Sequence, residues 1–211
     1  MTDYISEIFA DQELIKKIQN KLPELFQIAE IDNSRDGKLG MEIGSSREKI
    51  IIALFIYKFG IEQVKIDIPI TETEIDVIVM NQPISIKTVT GKKINGVKLI
   101  WTVDQEKAIK FRQTYKPSSD LVLVQINWQS LGYIYFIPQI IQIEVLKKLS
   151  LLEYIKLPKP GTNARGIEFS SPAIQALINH PSTKNIEIVW QRKNIQYNSY
   201  ERWLEYWGKS I

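Results

Sequence analysis

Thr73-Glu74-Ile75-Asp76-Val77-Ile78-Val79-Met80-Asn81-Gln82-Pro83-Ile84-Ser85-Ile86-Lys87-Thr88 is the stretch on which the fold turns. Two runs rich in β-branched residues flank a polar pair, Asn81-Gln82, which is the pattern of a β-hairpin with a short loop. With that pair as the loop, Met80 faces Pro83, Ile78 faces Ser85, and Asp76 falls opposite Lys87. Side chains alternate along a strand, and cross-strand partners share a face. Glu74, Asp76, Ser85 and Lys87 are therefore expected on one side of the sheet. Ile75, Val77, Val79, Ile84 and Ile86 fall on the other, packed against a helix. An ordinary cross-strand ion pair would produce the same pattern and contribute little, so the rest of the chain has to decide what the pair is for.

Outward from the hairpin, the spacing of Leu14, Ile15, Ile18 and Leu22 predicts a helix over residues 11–22, ended by Pro23. A second short helix is expected over residues 24–29. Ser45-Ser46-Arg47-Glu48 reads as a capping box that opens a further helix. The run from Ile50 to Ile56 is apolar nearly all round, so that helix is expected to be buried, with Gly60 as its stop. Val64 to Ile70 suits an edge strand because of Pro69. Beyond the hairpin, a strand is expected over 97–101 and a helix over 104–115, capped by Thr102 or Asp104. Strands over 121–128 and 133–137 surround a turn at Ser130-Leu131-Gly132, and a helix follows over 139–149. Trp203 and Trp207 lie four apart on a C-terminal helix, a spacing that favours core or dimer packing. The order predicts an α/β fold, a central mixed sheet flanked by helices. All of 1–211 is expected to form a single domain: 1–60 as a helical N-terminal part, 61–150 as the sheet core, and 151–211 as recognition and dimer elements.

Composition excludes whole classes of chemistry. The chain of 211 residues has no cysteine and one histidine, His180, in a turn-like Asn-His-Pro-Ser stretch. Thiol nucleophiles and Cys-ligated metals are excluded, and no Gly-x-Ser-x-Gly elbow accompanies the histidine. Neither phosphate-binding glycine motif is present, so no nucleotide cofactor is expected. Met1 to Asn20 mixes charges throughout, and the longest apolar run is too short for a bilayer. The expected location is the cytoplasm of a prokaryote, with no membrane partner. A net charge of +3 permits a basic groove without proving one. Carboxylate and lysine chemistry remains, of the kind run with a hard metal ion.

Asp76 next to Lys87 on the polar face of a sheet suits metal-assisted phosphodiester cleavage. A carboxylate holds the cation, and an ammonium orients the attacking water or stabilises charge on phosphorus. At this point the residues resemble a family. Asp76, a hairpin, then Ser85-Ile86-Lys87, preceded by a helix bearing Glu48, is similar to type II restriction endonucleases of the PD-(D/E)XK superfamily. The resemblance implies a restriction-endonuclease-like mixed sheet and sequence-specific, Mg²⁺-dependent cleavage of double-stranded DNA. It also implies 5′-phosphate ends and a homodimer on a palindromic site. Residue by residue, Asp76 matches the metal-binding aspartate, Lys87 the motif lysine, Glu48 the glutamate of the preceding helix, and Ile86 the residue whose carbonyl ligates the metal. Ser85 departs from the pattern, where Asp or Glu is usual; Glu74, Asp104 or Glu106 could substitute. Glu42 is a weaker stand-in for Glu48.

DNA contacts are expected from Ser46 and Arg47 and from a loop bearing Lys159, Thr162, Asn163 and Arg165. Arg can fork onto guanine, Asn onto adenine, and Lys onto phosphate. A repair or recombination nuclease of the same superfamily, or a DNA-binding module without activity, are the alternative readings.

Overall fold

The computed structural model describes residues 4–35, 38–40, 42–69, 71–72, 74–100, 104–158 and 166–209. Its helices are α1 (Ile5–Ile8), α2 (Gln12–Asp32), α3 (Ile43–Phe59), α4 (Gln105–Thr114), α5 (Gln139–Tyr154), α6 (Ser171–Ile178) and α7 (Glu201–Gly208). The strands are β1 (Ser34–Arg35), β2 (Lys38–Leu39), β3 (Val64–Lys65), β4 (Val77–Val79), β5 (Gln82–Thr90), β6 (Val97–Ile100), β7 (Asp120–Ile126), β8 (Ser130–Ile137), β9 (Ile155–Lys156), β10 (Ile167–Phe169) and β11 (Lys184–Trp190). Six of them form one mixed sheet in the order β11-β8-β7-β5-β4-β3. Only β5 and β7 run parallel within it. A smaller sheet, β6-β10-β9, lies beside it.

Each face of the large sheet carries its own core. Val77, Val79, Ile84, Ile86, Val122 and Val124 pack under α2 and α3 with Phe26, Ile51 and Phe55. Leu121, Leu123 and Ile137 face the other way, toward Val145, Tyr154, Phe169 and Leu177. Every residue of β7 is buried, as expected of a central strand covered on both faces. Because β11 comes from the last third of the chain, that third completes the main sheet as well as carrying the outer elements. No helix among the described residues is long and apolar enough to cross a membrane.

Several expectations shift. Helix α2 runs through Pro23 instead of stopping there. The stripe of Leu14, Ile18 and Leu22 continues into Phe26 and Ala29 on the same buried face, and that burial outweighs the roughly 3 kcal/mol a mid-helix proline costs. Asp11 caps this helix, accepting from the Leu14 amide at 3.0 Å. Helix α3 starts two residues before Ser45 with no side-chain cap, so the capping box does not form and Glu48 has no capping role. Only one face of α3 is buried, at Arg47, Ile51 and Phe55. The edge strand β3 is two residues long. The turn between β7 and β8 falls at Asn127-Trp128-Gln129, with Gln129 at φ 66°. Gly132 sits inside β8, where a Cβ would lie 2.3 Å from the Gln125 carbonyl oxygen and 2.5 Å from Trp190 Nε1. That glycine serves close packing, not a turn. The helix expected over 139–149 breaks at Ser150, at φ 63°, and resumes to Tyr154.

Candidate active site

The hairpin forms one step away from the expected register. Val79 pairs with Gln82, Ile78 with Pro83 and Val77 with Ile84. The loop is Met80-Asn81, both left-handed at φ 50° and 66°, the geometry of a tight hairpin turn that matches strand twist. Asn enters that conformation more readily than most residues. Gln82 therefore joins the strand, and its amide donates to Asp120 Oδ2 at 2.5 Å. The shift is two residues in pair sum, so every side chain keeps its predicted face. Asp76 ends up level with Ser85 instead of Lys87.

Asp76 stands where β4 begins, its amide donating to the Ile84 carbonyl at 2.9 Å. Its Oδ2 accepts three donors: the Ile86 amide at 2.6 Å, Lys87 Nζ at 3.0 Å and Ser85 Oγ at 3.2 Å. Oδ1 takes none of them and is left for other chemistry. The Asp76 and Lys87 side chains are 17% and 18% exposed, so the pair meets solvent and is not sealed in the core. A strand residue's N–H and C=O point to the same edge. The Ile86 carbonyl therefore projects to the edge that β4 has left, beside the Asp76 carboxylate.

Helix α3 brings the second acid. Arg47, Ile51 and Phe55 face the core, and Glu48, one position further round, is half-buried at the sheet-facing flank. Its carboxyl is pushed up to about 7, first by burial and then by the negative charge of Asp76, with Lys87 and Lys49 offsetting part of this. A carboxyl whose proton affinity is raised by burial and by the neighbouring Asp76 charge, with a carbonyl oxygen beside the two acids, is a donor set suited to a cation. Among the described residues no group of three or more His, Cys, Asp or Glu side chains gathers to hold a metal. A cation here would rest on two carboxylates and one carbonyl, with water or phosphate oxygens for the rest. That is how Mg²⁺-type ions are commonly held, and the residues fit it.

Of the acids that could replace the one missing at Ser85, Glu74 alone is close. It shares a small cavity with Ser85, Tyr115, Ser119 and Gln142. Its Oε2 accepts from Ser118 Oγ at 2.9 Å. Burial raises its pKa, against the lowering effect of Ser118, of Lys87 and of the Tyr115 hydroxyl. Asp104 instead caps α4, accepting from the Glu106 and Lys107 amides at 3.0 and 3.1 Å, and Glu106 is exposed. Glu42 is exposed at the start of α3. No local signal links Ser118 and Tyr115 to Glu74, because they arrive from some forty residues away, after α4.

The expected DNA contacts fare differently. Arg47 is 4% exposed. Its guanidinium donates to Glu30 Oε1 at 2.5 Å and to Thr90 Oγ1 at 3.2 Å, so it ties α2 to α3 and β5 inside the molecule. A buried guanidinium committed to a carboxylate is not placed to meet a phosphate. Ser46 Oγ accepts from Asn33 Nδ2 at 2.9 Å. Lys159, Thr162, Asn163 and Arg165 lie outside the described residues. His180 sits in a turn, where its Nδ1 accepts from the Ser182 amide at 3.2 Å and its Nε2 lies 3.6 Å from Glu144 Oε1.

Comparison with known proteins agrees with this geometry. The family described as "Restriction endonuclease ThaI" matches residues 8–209. A solved structure described as "Restriction endonuclease in complex with substrate DNA" is 50% identical, covers 97% of this chain and 99% of its own, and superposes with a TM-score of 0.92. No curated protein gives a significant match. A hairpin carrying Asp76 and Lys87 on its polar face, in a mixed sheet superposing on that enzyme, leaves one assignment: the chain belongs to the ThaI restriction endonuclease family.

Proposed function

We propose that this type II restriction enzyme cleaves double-stranded DNA at a palindromic site with Mg²⁺ as its divalent cation, leaves 5′-phosphates, and acts as a homodimer. The observation that carries the reading is the Asp76–Lys87 pair at 3.0 Å with Glu48 turned toward it. Asp76 Oδ1, the Glu48 carboxylate and the Ile86 carbonyl would hold the cation. When bound, it supplies Lewis-acid neutralisation of the phosphate charge.

The chain's own residues do the rest. Asp76 Oδ2, pinned by the Ile86 amide and Ser85 hydroxyl, fixes the Lys87 ammonium beside the two carboxylates. From there Lys87 orients the water that attacks phosphorus and donates to the oxygens that gain charge. Ser85 is a positioning residue for Asp76, not a replacement acid. Glu74, held by Ser118, lies behind Ser85 and adds negative potential around Lys87. In-line attack with departure of the 3′-oxygen places the phosphate on the 5′ side. Sequence recognition is assigned to the segment bearing Lys159, Thr162, Asn163 and Arg165, on the chemistry of those residues, and dimer contacts to the C-terminal part of 151–211. Residues 1–60 and 61–150 carry Glu48 and the hairpin respectively.

The test is plasmid cleavage with Mg²⁺ or EDTA, beside Asp76→Ala and Lys87→Ala. Discrete fragments that need Mg²⁺ and fall by roughly a hundredfold or more in each variant are expected, as for loss of a charge-stabilising group. Undiminished cutting by both variants would place the chemistry elsewhere.

A further inference from the structure

Helix α3 is apolar on nearly every side, yet the fold covers only one of them. Ile51 and Phe55 sink into the core. Ile50, Ala53, Leu54 and Tyr57, spaced as a second helical stripe, instead line a groove of about 320 Å³ shared with α2. On the α2 side the groove is walled by Leu25 and rimmed by Lys17 and Lys21, one turn apart. Leu25 is 41% and Tyr57 63% exposed. An apolar channel is thus left open on the surface, its basic rim formed by Lys17, whose ammonium lies 4.5 Å from the Tyr57 ring centre, and Lys21, 3.8 Å from Glu24.

Helix α7 has the complementary deficit. Tyr200, Trp203, Leu204 and Trp207 recur at i, i+3, i+4 and i+7, a single apolar stripe. No α7 residue is buried, and Trp207 is 89% exposed. An eight-residue helix has too few hydrogen bonds to hold itself in water without a packed face. Flanking the stripe on one side are Glu201 and Glu205, again one turn apart, the same spacing as Lys17 and Lys21. Stripe matches groove, and acids match bases.

The chain's path keeps α7 away from its own groove. Lys193 is tied to Gln27 by two hydrogen bonds of 2.8 and 2.9 Å. Further on, the Tyr197 hydroxyl donates to Asp32, the last residue of α2, at 2.9 and 3.0 Å. The segment before α7 therefore runs toward the C-terminal end of α2, away from Lys17, Lys21 and Leu25.

We propose that α7 of each protomer lies in the α2–α3 groove of a second copy of this chain. Trp203, Leu204 and Trp207 meet Leu25, Ile50 and Leu54, and Glu201 and Glu205 face Lys17 and Lys21. A two-fold axis makes the exchange mutual, each copy giving an arm and receiving one. The inference rests on the homodimer reading above and specifies which surfaces build it.

A charge swap tests it by sedimentation of the full chain. Lys17→Glu with Lys21→Glu sets like charges in both interfaces, as does Glu201→Lys with Glu205→Lys in a second protein. Each variant is expected to dimerise about tenfold or more weakly than the wild type, given repulsion in two contacts per dimer. An equimolar mixture of the two has complementary charges in both interfaces, so mixed dimers should return at wild-type concentrations. All substituted residues are at the surface, and circular dichroism checks that folding is kept. Variants that dimerise as the wild type does, or a mixture that stays monomeric, would overturn the arm exchange while leaving a dimer of another design standing. A wild-type chain that is monomeric at every concentration would remove the homodimer reading as well.

Discussion

Three donors converge on one oxygen of Asp76, and that concentration decides how the site is built. Ser85 stands where the PD-(D/E)XK resemblance calls for a second acid, and its hydroxyl reaches Asp76 at 3.2 Å, helping aim the carboxylate that remains. Asp76 and Lys87 were legible in the hairpin sequence because face assignment depends only on alternation. Their pairing across the strand was not, because it depends on which residues take the turn. Glu48 was legible by family resemblance alone, since its position beside Asp76 comes from the packing of α3 on the sheet.

The Glu48 carboxyl predicts a pH dependence. Its pKa rises from 4.5 to about 7 on folding without metal, so the folded state binds the proton more tightly than the unfolded chain. Stability of the metal-free protein is then lost as pH climbs from about 4.5 through 7, and the loss is complete above that. Glu48→Gln removes this cost. In EDTA the variant should melt above wild type at pH 8 and together with it near pH 4, by thermal denaturation. Equal melting temperatures at pH 8 would show that Glu48 is not strained by its surroundings.

At the scale of elements, α2, α3 and the start of the C-terminal segment are clasped by one buried carboxylate. Glu30, 4% exposed, accepts from Arg47 and Arg192 at 2.5 Å each and from Trp128 Nε1 at 2.9 Å. Removing it leaves the buried Arg47 guanidinium without its counter-ion. Glu30→Ala should cost about 3–5 kcal/mol in denaturant unfolding, the range for breaking a buried pair from one side. Arg192→Ala should cost far less, because its side chain is 44% exposed. Helical periodicity revealed α2 and α3 as helices, but it could not show that Arg47 turns inward. A charged residue at a helix start reads as a surface contact until a partner from another element claims it.

For the whole molecule, the proposed site, one Asp76–Lys87 pair per chain, sets two protomers to cut the two strands of one duplex. On the homodimer reading, lowering enzyme concentration past the dimer dissociation range should shift plasmid products from linear to nicked circles before activity is lost. Linear product persisting without nicked intermediates down to the lowest active concentration would point to one chain cutting twice.

The sequence by itself determined most element types, the two faces of the hairpin, the polar cluster of Asp76, Ser85 and Lys87 and, with no cysteine in the chain, the absence of thiol chemistry. Those follow from periods of 2 and 3.6 residues and from which residues exist at all. Only the tertiary structure decided the parallel pairing of β5 with β7, the approach of Glu48 to Asp76, the burial of Arg47 on Glu30 and the capture of Glu74 by Ser118. These join residues 17 to 44 positions apart. Periodicity says which way a side chain faces along its own element, whereas burial of apolar surface against other elements chooses what it meets.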